Sequence, residues 1–150
     1  MNLPKYDFKL TKNGEQVLIW DQIRMKNIVL TPEEWVRQNF MRYLTSEFGF
    51  PQSLMQVEGA LKYNTMQMRS DILCYNQAGK PILLVECKRP TVSINQKTFD
   101  QIARYNMSLK VPFLAVTNGL EHFYCKIDFD NKEFHFLPTL PQYELIKELG

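Results

Sequence analysis

A short run near the middle of the chain, Pro81-Ile-Leu-Leu-Val-Glu86-Cys-Lys88, most constrains what this protein can fold into. Side chains alternate between the two faces of a β-strand, so Leu84, Glu86 and Lys88 would share one face of this run. Both faces are apolar until the end of the run, which is typical of a strand that is covered on both sides. We therefore predict a central sheet strand that ends in charged residues.

The charged end of this strand has two interpretations. Glu and Lys two positions apart often form only a salt bridge on a solvated strand end, and so short a pattern is common by chance. Here, however, the strand is apolar, and Asp71 opens the strand-like run just upstream. Charged groups at the end of a buried strand lose solvation unless they pair or bind a metal ion. Asp71 and Glu86 would supply oxygen ligands for a hard divalent cation, and Lys88 a positive charge beside a phosphate.

Length and composition are those of a single globular domain. The chain has 150 residues, of which 45% are hydrophobic and 23% charged, enough to bury a substantial core. The net charge of +2 permits nucleic-acid binding but does not require it. No apolar run is long enough for a membrane span, and the N-terminus lacks the apolar core of a signal peptide, so we expect a cytoplasmic protein without membrane contact.

The cysteines and histidines do not indicate a zinc site. Cys74, Cys87 and Cys125 are odd in number, lie in strand-like runs and form no C-x-x-C pair. We expect buried, reduced thiols of a cytoplasmic protein. His122 and His135 are not spaced with these cysteines as zinc ligands would be.

The predicted elements follow the order α-β-β-β-α-β, preceded and followed by further strands. Thr31-Pro32 predicts a helix start, and Gly49 its end. This order predicts an α/β fold of the α+β mixed-sheet type, with helices on both faces of the sheet and extra β-strands at both termini. The predicted elements are a small hairpin within residues 1–30, a helix from 31 to 48, strands at 53–63, 71–75 and 82–88, a helix at 95–109, and strands at 112–117, 123–127 and 133–136.

The arrangement of Asp71 on one strand and Glu86-x-Lys88 on the next resembles that of the PD-(D/E)XK nuclease superfamily, which has a restriction-endonuclease-like core. A longer set of motifs is similar to the N-terminal nuclease domain of type I restriction enzyme R subunits, in a free-standing, single-domain form. Ser70 replaces the proline that gives the superfamily its name. The resemblance covers roughly residues 31–120, leaving 1–30 and 121–150 as β extensions of one domain. The motifs are Thr31-Pro-Glu-Glu-Trp-Val-Arg37-Gln38, Arg69-Ser-Asp71-Ile, Val85-Glu-Cys-Lys88-Arg-Pro, Gln101-Ile-Ala-Arg-Tyr105-Asn and Thr117-Asn-Gly119.

The resemblance implies a metal-dependent nuclease that hydrolyses phosphodiester bonds of DNA. Asp71 and Glu86 would bind Mg²⁺, for which Mn²⁺ could substitute, and the carbonyl of Cys87 would be a third ligand. Lys88 would orient the attacking water or stabilise the charge that develops on the phosphate.

Three further residues are implied to belong to the site. Gln101 and Tyr105 match the Q-x-x-x-Y element of RecB-like members, although taken alone such a pair most often makes a surface hydrogen bond. Glu33 lies four residues before Arg37, as in the E-x-x-x-R helix of the family, and is the favoured site acid of the first helix. Glu34 occupies the capping-box position and is assigned a structural role.

Substrate and partners are less constrained by the sequence. Phosphate contacts are predicted for Lys88, Arg89, Lys97 and Arg104, with Lys110 as a further candidate. The alternative function is a non-catalytic module that retains the fold and binds nucleic acid or a partner protein. A third reading is a structural partner protein that uses Trp20, Trp35 and aromatic strands as its interface. A homodimer, or association with a restriction-modification or repair protein, is compatible with each reading.

Overall fold

A six-stranded mixed sheet with a helix on each face forms the centre of the molecule. The computed structural model describes residues 1–57, 60–63, 66–69 and 71–149, and at 60–63 and 66–69 the backbone alone. In chain order the described strands are β1 (Leu10–Asn13), β2 (Gln16–Asp21), β3 (Lys26–Val29), β4 (Met55–Val57), β5 (Ala60–Tyr63), β6 (Met66–Arg69), β7 (Ile72–Tyr75), β8 (Pro81–Cys87), β9 (Phe113–Thr117), β10 (His122–Asp128) and β11 (Glu133–Leu137). The described α-helices are α1 (Pro32–Phe48), α2 (Gln96–Leu109) and α3 (Tyr143–Ile146).

The central sheet has the strand order β11-β10-β9-β8-β7-β4. β8 and β9 are parallel neighbours joined through α2, while the other neighbouring pairs of this sheet are antiparallel. β8 therefore lies inside the sheet, as its apolar sequence predicts. The two C-terminal strands extend this same sheet.

Each face of the sheet has its own apolar core. On one face, Val36 and Phe40 of α1 pack with Val85 of β8. On the other face, Phe99 of α2 packs with Leu84 of β8. The predicted fold class, helices on both faces of a mixed sheet, is confirmed.

The first helix begins and ends where the sequence predicts. Thr31 is the N-cap, and its Oγ1 accepts a hydrogen bond from the Glu34 amide at 3.1 Å. Gly49 ends the helix with a positive φ of 74°, a conformation that is open to glycine and strained for other residues. These two signals fix where α1 begins and ends, whereas its apolar side chains hold it against β8.

The predicted strand at 53–63 is wrong as a single element. Its first part forms a 3₁₀ turn at Gln52–Leu54 and then β4, which pairs with β7 in the central sheet. Its last part is β5, which pairs with β6 in a separate two-stranded sheet. Residues 58 and 59 between them lie outside the described residues.

The N-terminal extension differs in strand number from the prediction. It forms a three-stranded sheet, β1-β2-β3, where the sequence predicts a hairpin. All four residues of β1 are exposed, so the strand lacks the alternation that reveals a half-buried strand. The short helix α3 was not predicted either, and it buries Tyr143 and Ile146 against the core on the α1 face.

Two predictions on composition can be compared with the structure. Cys74, Cys87 and Cys125 are buried and free of disulfide bonds, as expected for core thiols. Within the described part of the chain, none of the helices combines the length and apolarity that crossing a bilayer demands.

Candidate active site

Asp71 lies immediately before β7 and is tied to the end of β8. Its Oδ2 accepts a hydrogen bond from the Cys87 amide at 2.7 Å. The antiparallel pairing of Ile72 with Val85 brings these two strand ends together. The hairpin between β7 and β8 thus places Asp71 beside the end of β8 that carries Glu86.

Glu86 and Lys88 form an ion pair at this strand end. Lys88 Nζ is 3.3 Å from Glu86 Oε1, and both side chains are partly buried, at 33% and 22% exposure for Lys88 and Glu86. Burial raises the pKa of Glu86 to about 7, and the negative charges of Asp71 and Glu33 act in the same direction, against the opposing effect of Lys88. A positive ion placed here would favour the charged form of Glu86.

Cys87 has no free thiolate to offer a metal ion. Its side chain is buried in the apolar core, and burial raises the pKa of the thiol well above its ordinary value. The residue can take part in a metal site only through its backbone, which is how the resemblance uses it.

Arg37 of α1 joins the helix to the strand ends. Its Nη2 donates to Asp71 Oδ1 at 2.7 Å and to Glu33 Oε1 at 3.1 Å, and its Nη1 donates to Glu34 Oε1 at 2.7 Å. Burial lowers the pKa of Arg37, but the hydrogen bond to Asp71 and the nearby carboxylates raise it by more, so the guanidinium stays charged. Both oxygens of Asp71 therefore accept hydrogen bonds from the protein.

The two acids at the start of α1 have different surroundings. Glu33 is 45% exposed and pairs with Arg37, and its charge reaches Glu86. Glu34 is buried, and its amide makes the predicted cap bond to Thr31. Its carboxylate bonds Arg37 and two further side chains rather than turning back to the cap, so its structural role is that of a buried bridge. The placement of Glu33 beside Arg37 is compatible with a site acid, which stays a prediction.

The donor set at this site fits a hard divalent cation. When Glu86 is ionised, the carboxylates of Glu33, Glu34, Asp71 and Glu86 outnumber the cations of Arg37 and Lys88 by two charges. Among the residues that the structure describes, no group of three or more His, Cys, Asp or Glu side chains is arranged to hold a metal ion. Mg²⁺ needs no such group, because it keeps several waters and often uses one or two carboxylates.

The residues predicted on α2 lie on the surface of the molecule. Gln101, Arg104 and Tyr105 are exposed on the outer surface of the helix. No hydrogen bond or ion pair joins them to Asp71 or Glu86 in the described part of the chain. With other polar side chains they line an open cavity of about 720 Å³, whose full lining is Gln96, Lys97, Asp100, Gln101, Arg104 and Tyr105.

The remaining predicted phosphate contacts are also on the surface. Arg89 directly follows Lys88 and is exposed, and Lys110 is exposed at the C-terminal end of α2. The structure thus brings together Asp71, Glu86, Cys87 and Lys88, with Glu33 linked through Arg37. The predicted α2 residues line the open cavity, and Arg89 is exposed next to Lys88.

Sequence reasoning missed the side chains that support Arg37. Arg37 itself was visible only as the end of an E-x-x-x-R spacing, and Gln38 only as part of a motif. Asp21 and Arg24, which contact Glu34 and Gln38 from the end of β2, had no recognised signal. In the sequence, this contact corresponds to an Asp-x-x-Arg spacing at the end of a strand.

The fold and the polar strand ends define a nuclease-like α/β domain. A family model described as the type I restriction enzyme R protein N terminus (HSDR_N) matches residues 32–141. The chain belongs to this family, as the sequence resemblance predicts.

A solved structure supports the same fold. A fragment of a candidate HsdR subunit of a type I restriction enzyme from Vibrio vulnificus YJ016 matches 80% of this chain at 23% identity, with a TM-score of 0.54. The match covers 25% of that fragment, so this chain corresponds to about a quarter of its length. A candidate nuclease from Anabaena variabilis ATCC 29413 matches 86% of this chain and 80% of that protein at 12% identity, with a TM-score of 0.48. No protein with a curated description matches.

Proposed function

We propose that this domain is a metal-dependent nuclease that hydrolyses phosphodiester bonds of DNA. The observation that carries the proposal is the convergence of Asp71, Glu86 and Lys88 at the ends of β7 and β8, with Lys88 Nζ 3.3 Å from Glu86. Membership of the restriction-enzyme R protein family supports it.

The proposed metal is Mg²⁺, with Mn²⁺ as a substitute, held by the carboxylates of Asp71 and Glu86 and the carbonyl of Cys87. When bound, such an ion polarises phosphoryl oxygens and lowers the pKa of bound water. Arg37 holds Asp71 by one carboxylate oxygen and the Cys87 amide holds the other, so this ligand is fixed before any ion binds. A fixed ligand needs little reorganisation during the reaction.

Lys88 is the proposed electrostatic group of the reaction. Its ammonium lies on the same strand face as Glu86 and is only partly exposed, so its charge is weakly screened. We assign it the stabilisation of charge on the phosphate, or the orientation of the attacking water. Glu33 is the proposed additional acid, and Gln101 and Tyr105 are proposed to contact the substrate from α2.

A non-catalytic binding module is the second candidate, and one observation favours it. Both oxygens of Asp71 already accept hydrogen bonds from protein donors, a state that is satisfied without a metal ion. In that case the exposed Lys97 and Arg104 would bind nucleic acid, or another face would bind a protein.

The proposed partners follow from the family. DNA is the proposed substrate, with phosphate contacts from Lys88, Arg89, Lys97 and Arg104. A second copy of the chain, or a restriction-modification or repair protein, is the proposed protein partner, in keeping with the quarter of the HsdR fragment that this chain matches.

Cleavage of supercoiled plasmid with Mg²⁺, with Mn²⁺ and with EDTA tests the function. We expect nicking or linearisation with either metal and none with EDTA. Asp71→Asn and Glu86→Gln should both be inactive, and both should abolish the rise in melting temperature that Mn²⁺ causes in the wild type by binding the native state.

Two results would decide against the nuclease. If the wild-type protein cleaves no DNA with any divalent metal, the nuclease proposal fails and the non-catalytic binding module becomes the proposed function. Melting temperatures that respond equally to Mn²⁺ in the wild type and both variants would show that the metal site lies elsewhere.

A further inference from the structure

A buried polar cluster connects the N-terminal sheet to the proposed active site. The member of the cluster at the end away from the proposed active site is Asp21, the last residue of β2. Asp21 is fully buried. The carboxylate accepts hydrogen bonds from the amides of Ile23 at 2.7 Å and Arg24 at 2.9 Å, from Arg24 Nε at 2.6 Å, and from Gln38 Nε2 at 2.9 Å. Burial raises the pKa of Asp21, but these hydrogen bonds and the charge of Arg24 lower it by more, so Asp21 is ionised.

Glu34 carries the contact from this cluster to Arg37. Its Oε2 accepts from Arg24 Nη2 at 2.9 Å and from Gln38 Nε2 at 3.0 Å. Its Oε1 accepts from Arg37 Nη1 at 2.7 Å. One oxygen of Glu34 thus accepts from Arg24 and Gln38 and the other from Arg37, so rotation of the carboxylate would disturb both sets of bonds.

Arg37 is oriented by this arrangement. With Nη1 held by Glu34, the planar guanidinium directs Nη2 toward Asp71 Oδ1 at 2.7 Å. Because the guanidinium is planar and rigid, a bond that holds Nη1 restricts where Nη2 can lie. A continuous series of hydrogen bonds and ion pairs therefore runs from Asp21 and Arg24 through Glu34 and Arg37 to Asp71, and on to the Cys87 amide.

We propose that Arg24 is a positioning residue of the active site, and that the N-terminal sheet is part of the catalytic unit because it supplies Arg24 and Asp21. Both residues lie before the stretch 32–141 that the family model matches. The inference rests on the proposed function, since the ligand that Arg24 positions is Asp71. Arg24 is inferred to act on Asp71 through Glu34 and Arg37.

Fold stability alone does not account for the cluster. Buried ion pairs lose solvation on folding, and replacing them with apolar side chains of similar volume is often neutral or stabilising. Residues that orient a ligand, in contrast, typically change metal affinity or activity about 10- to 100-fold when they are mutated. The cluster contacts the proposed site and aligns a metal ligand, as expected for the second role.

The test compares Arg24→Gln with two controls on the same N-terminal sheet. Lys26→Gln removes an exposed cation that pairs in register with Asp21 across β2 and β3. Ile19→Val removes one methyl group from a fully buried side chain of β2 and serves as the control for lost stability. For each protein we would measure the Mn²⁺ dissociation constant by calorimetry, the kcat and KM of cleavage, and the Arg37 Nε–Hε NMR signal of the metal-free protein.

Arg24→Gln should weaken Mn²⁺ binding about tenfold or more and lower kcat by a similar factor, with the KM for DNA within about twofold of wild type. The Arg37 signal should shift or broaden in Arg24→Gln but stay unchanged in Lys26→Gln. Arg24→Lys should restore only part of the loss, because one ammonium cannot bond Asp21 and Glu34 as the Nε and Nη2 of Arg24 do. If Arg24→Gln does not fold, Arg24→Lys carries the test.

Arg24→Gln with wild-type Mn²⁺ affinity and an unmoved Arg37 signal would overturn the inference. So would losses no larger than those of Ile19→Val at equal stability. A wild-type protein that binds no Mn²⁺ and cuts no DNA would instead refute the proposed function. The Arg37 signal would then still decide whether Arg24 orients Arg37, because that measurement needs neither metal nor activity.

Discussion

Glu86 has a carboxyl group whose ionisation depends on opposing influences of its neighbours. Burial and the charge of Asp71 favour the neutral carboxyl, while Lys88 favours the charged form, and the resulting pKa is about 7. A proton and a metal ion would compete for this carboxylate. The proposed metal affinity should therefore increase as pH rises through 7.

The same side chain predicts a pH dependence of stability in the metal-free protein. The pKa of Glu86 is raised from an ordinary 4.5 to about 7, so the folded state binds this proton more tightly than the unfolded chain does. The free energy of unfolding should therefore fall as pH rises from about 4.5 to about 7, by at most about 3 kcal/mol.

Urea unfolding at a series of pH values in EDTA measures this effect. Asp71, Lys88 and Glu33 carry the other charges that act on Glu86, so the informative quantity is the difference between the wild type and Glu86→Gln. The variant should lose the decline over this pH range. Parallel pH profiles for the two proteins would show that Glu86 does not bind the proton.

The proposed role of Lys88 predicts that its mutation affects the cleavage rate far more than the DNA affinity. Its charge should act mainly in the transition state, where the phosphoryl oxygens carry more charge than in the ground state. Lys88→Ala should lower the cleavage rate by about 100-fold or more, with little loss of DNA affinity. Lys88→Arg should not restore the rate, because a planar fork on a longer stem does not replace a compact ammonium.

Single-turnover cleavage and DNA titration in Ca²⁺ measure the two quantities. Lys12→Ala, which removes an exposed cation from β1, is the matched control and should leave the rate unchanged. Equal cleavage rates for Lys88→Ala and wild type would remove Lys88 from the mechanism.

At the scale of elements, α1 carries Glu33 and Arg37 in its first turns. The start of the helix therefore determines where these two side chains lie in the candidate site. The cap bond from Glu34 N to Thr31 Oγ1 is 3.1 Å. Thr31→Ala should reduce the free energy of unfolding by about 1 kcal/mol, a fall of about 2–4 °C in melting temperature for a chain of this length. Thr31→Ser keeps the hydroxyl and should stay close to wild type. Calorimetry that finds equal melting temperatures for Ala and Ser would show that the cap does not stabilise α1.

Elements that follow from local pattern were predictable. β8 is recognisable because both of its faces are buried, and α1 because Thr31 and Gly49 mark its ends. The polar strand β1 was not predictable, because its residues are exposed and do not alternate. The separation of β4 from β5 was missed because it depends on which partner strand each one finds, and pairing is a long-range property.

The site was predictable to the extent that it lies on neighbouring strands. The proximity of Asp71 to Glu86 follows from the hairpin that joins β7 to β8. The network behind them was not, because Asp21 and Arg24 meet Glu34 across elements, and the sequence records no distance between them. Long-range polar contacts of this kind leave no periodicity that sequence analysis can read.

At the scale of the whole molecule, charge is unevenly divided. The chain carries a net charge of +2, while the six side chains Glu33, Glu34, Arg37, Asp71, Glu86 and Lys88 carry an excess of two negative charges once Glu86 is ionised. The rest of the chain is therefore more basic than the net charge suggests. Without a divalent cation, the carboxylates would repel a phosphate that approaches the site, whereas the outer face of α2 would attract it.

The uneven distribution of charge predicts how DNA binding responds to salt concentration. With Ca²⁺ in place of a catalytic metal, the slope of log K against log salt should be shallow and correspond to about three to five neutralised phosphates. Lys97→Ala and Arg104→Ala, on the open cavity of α2, should each reduce the magnitude of the slope by about one, whereas Lys12→Ala on β1 should leave it unchanged. Removal of Ca²⁺ should weaken binding, because the carboxylates then face the DNA without compensation. Fluorescence anisotropy over a range of salt concentrations measures these quantities. Binding that is independent of salt, or that Lys97→Ala and Arg104→Ala leave unchanged, would move the DNA away from α2 and favour a protein as the ligand of this domain.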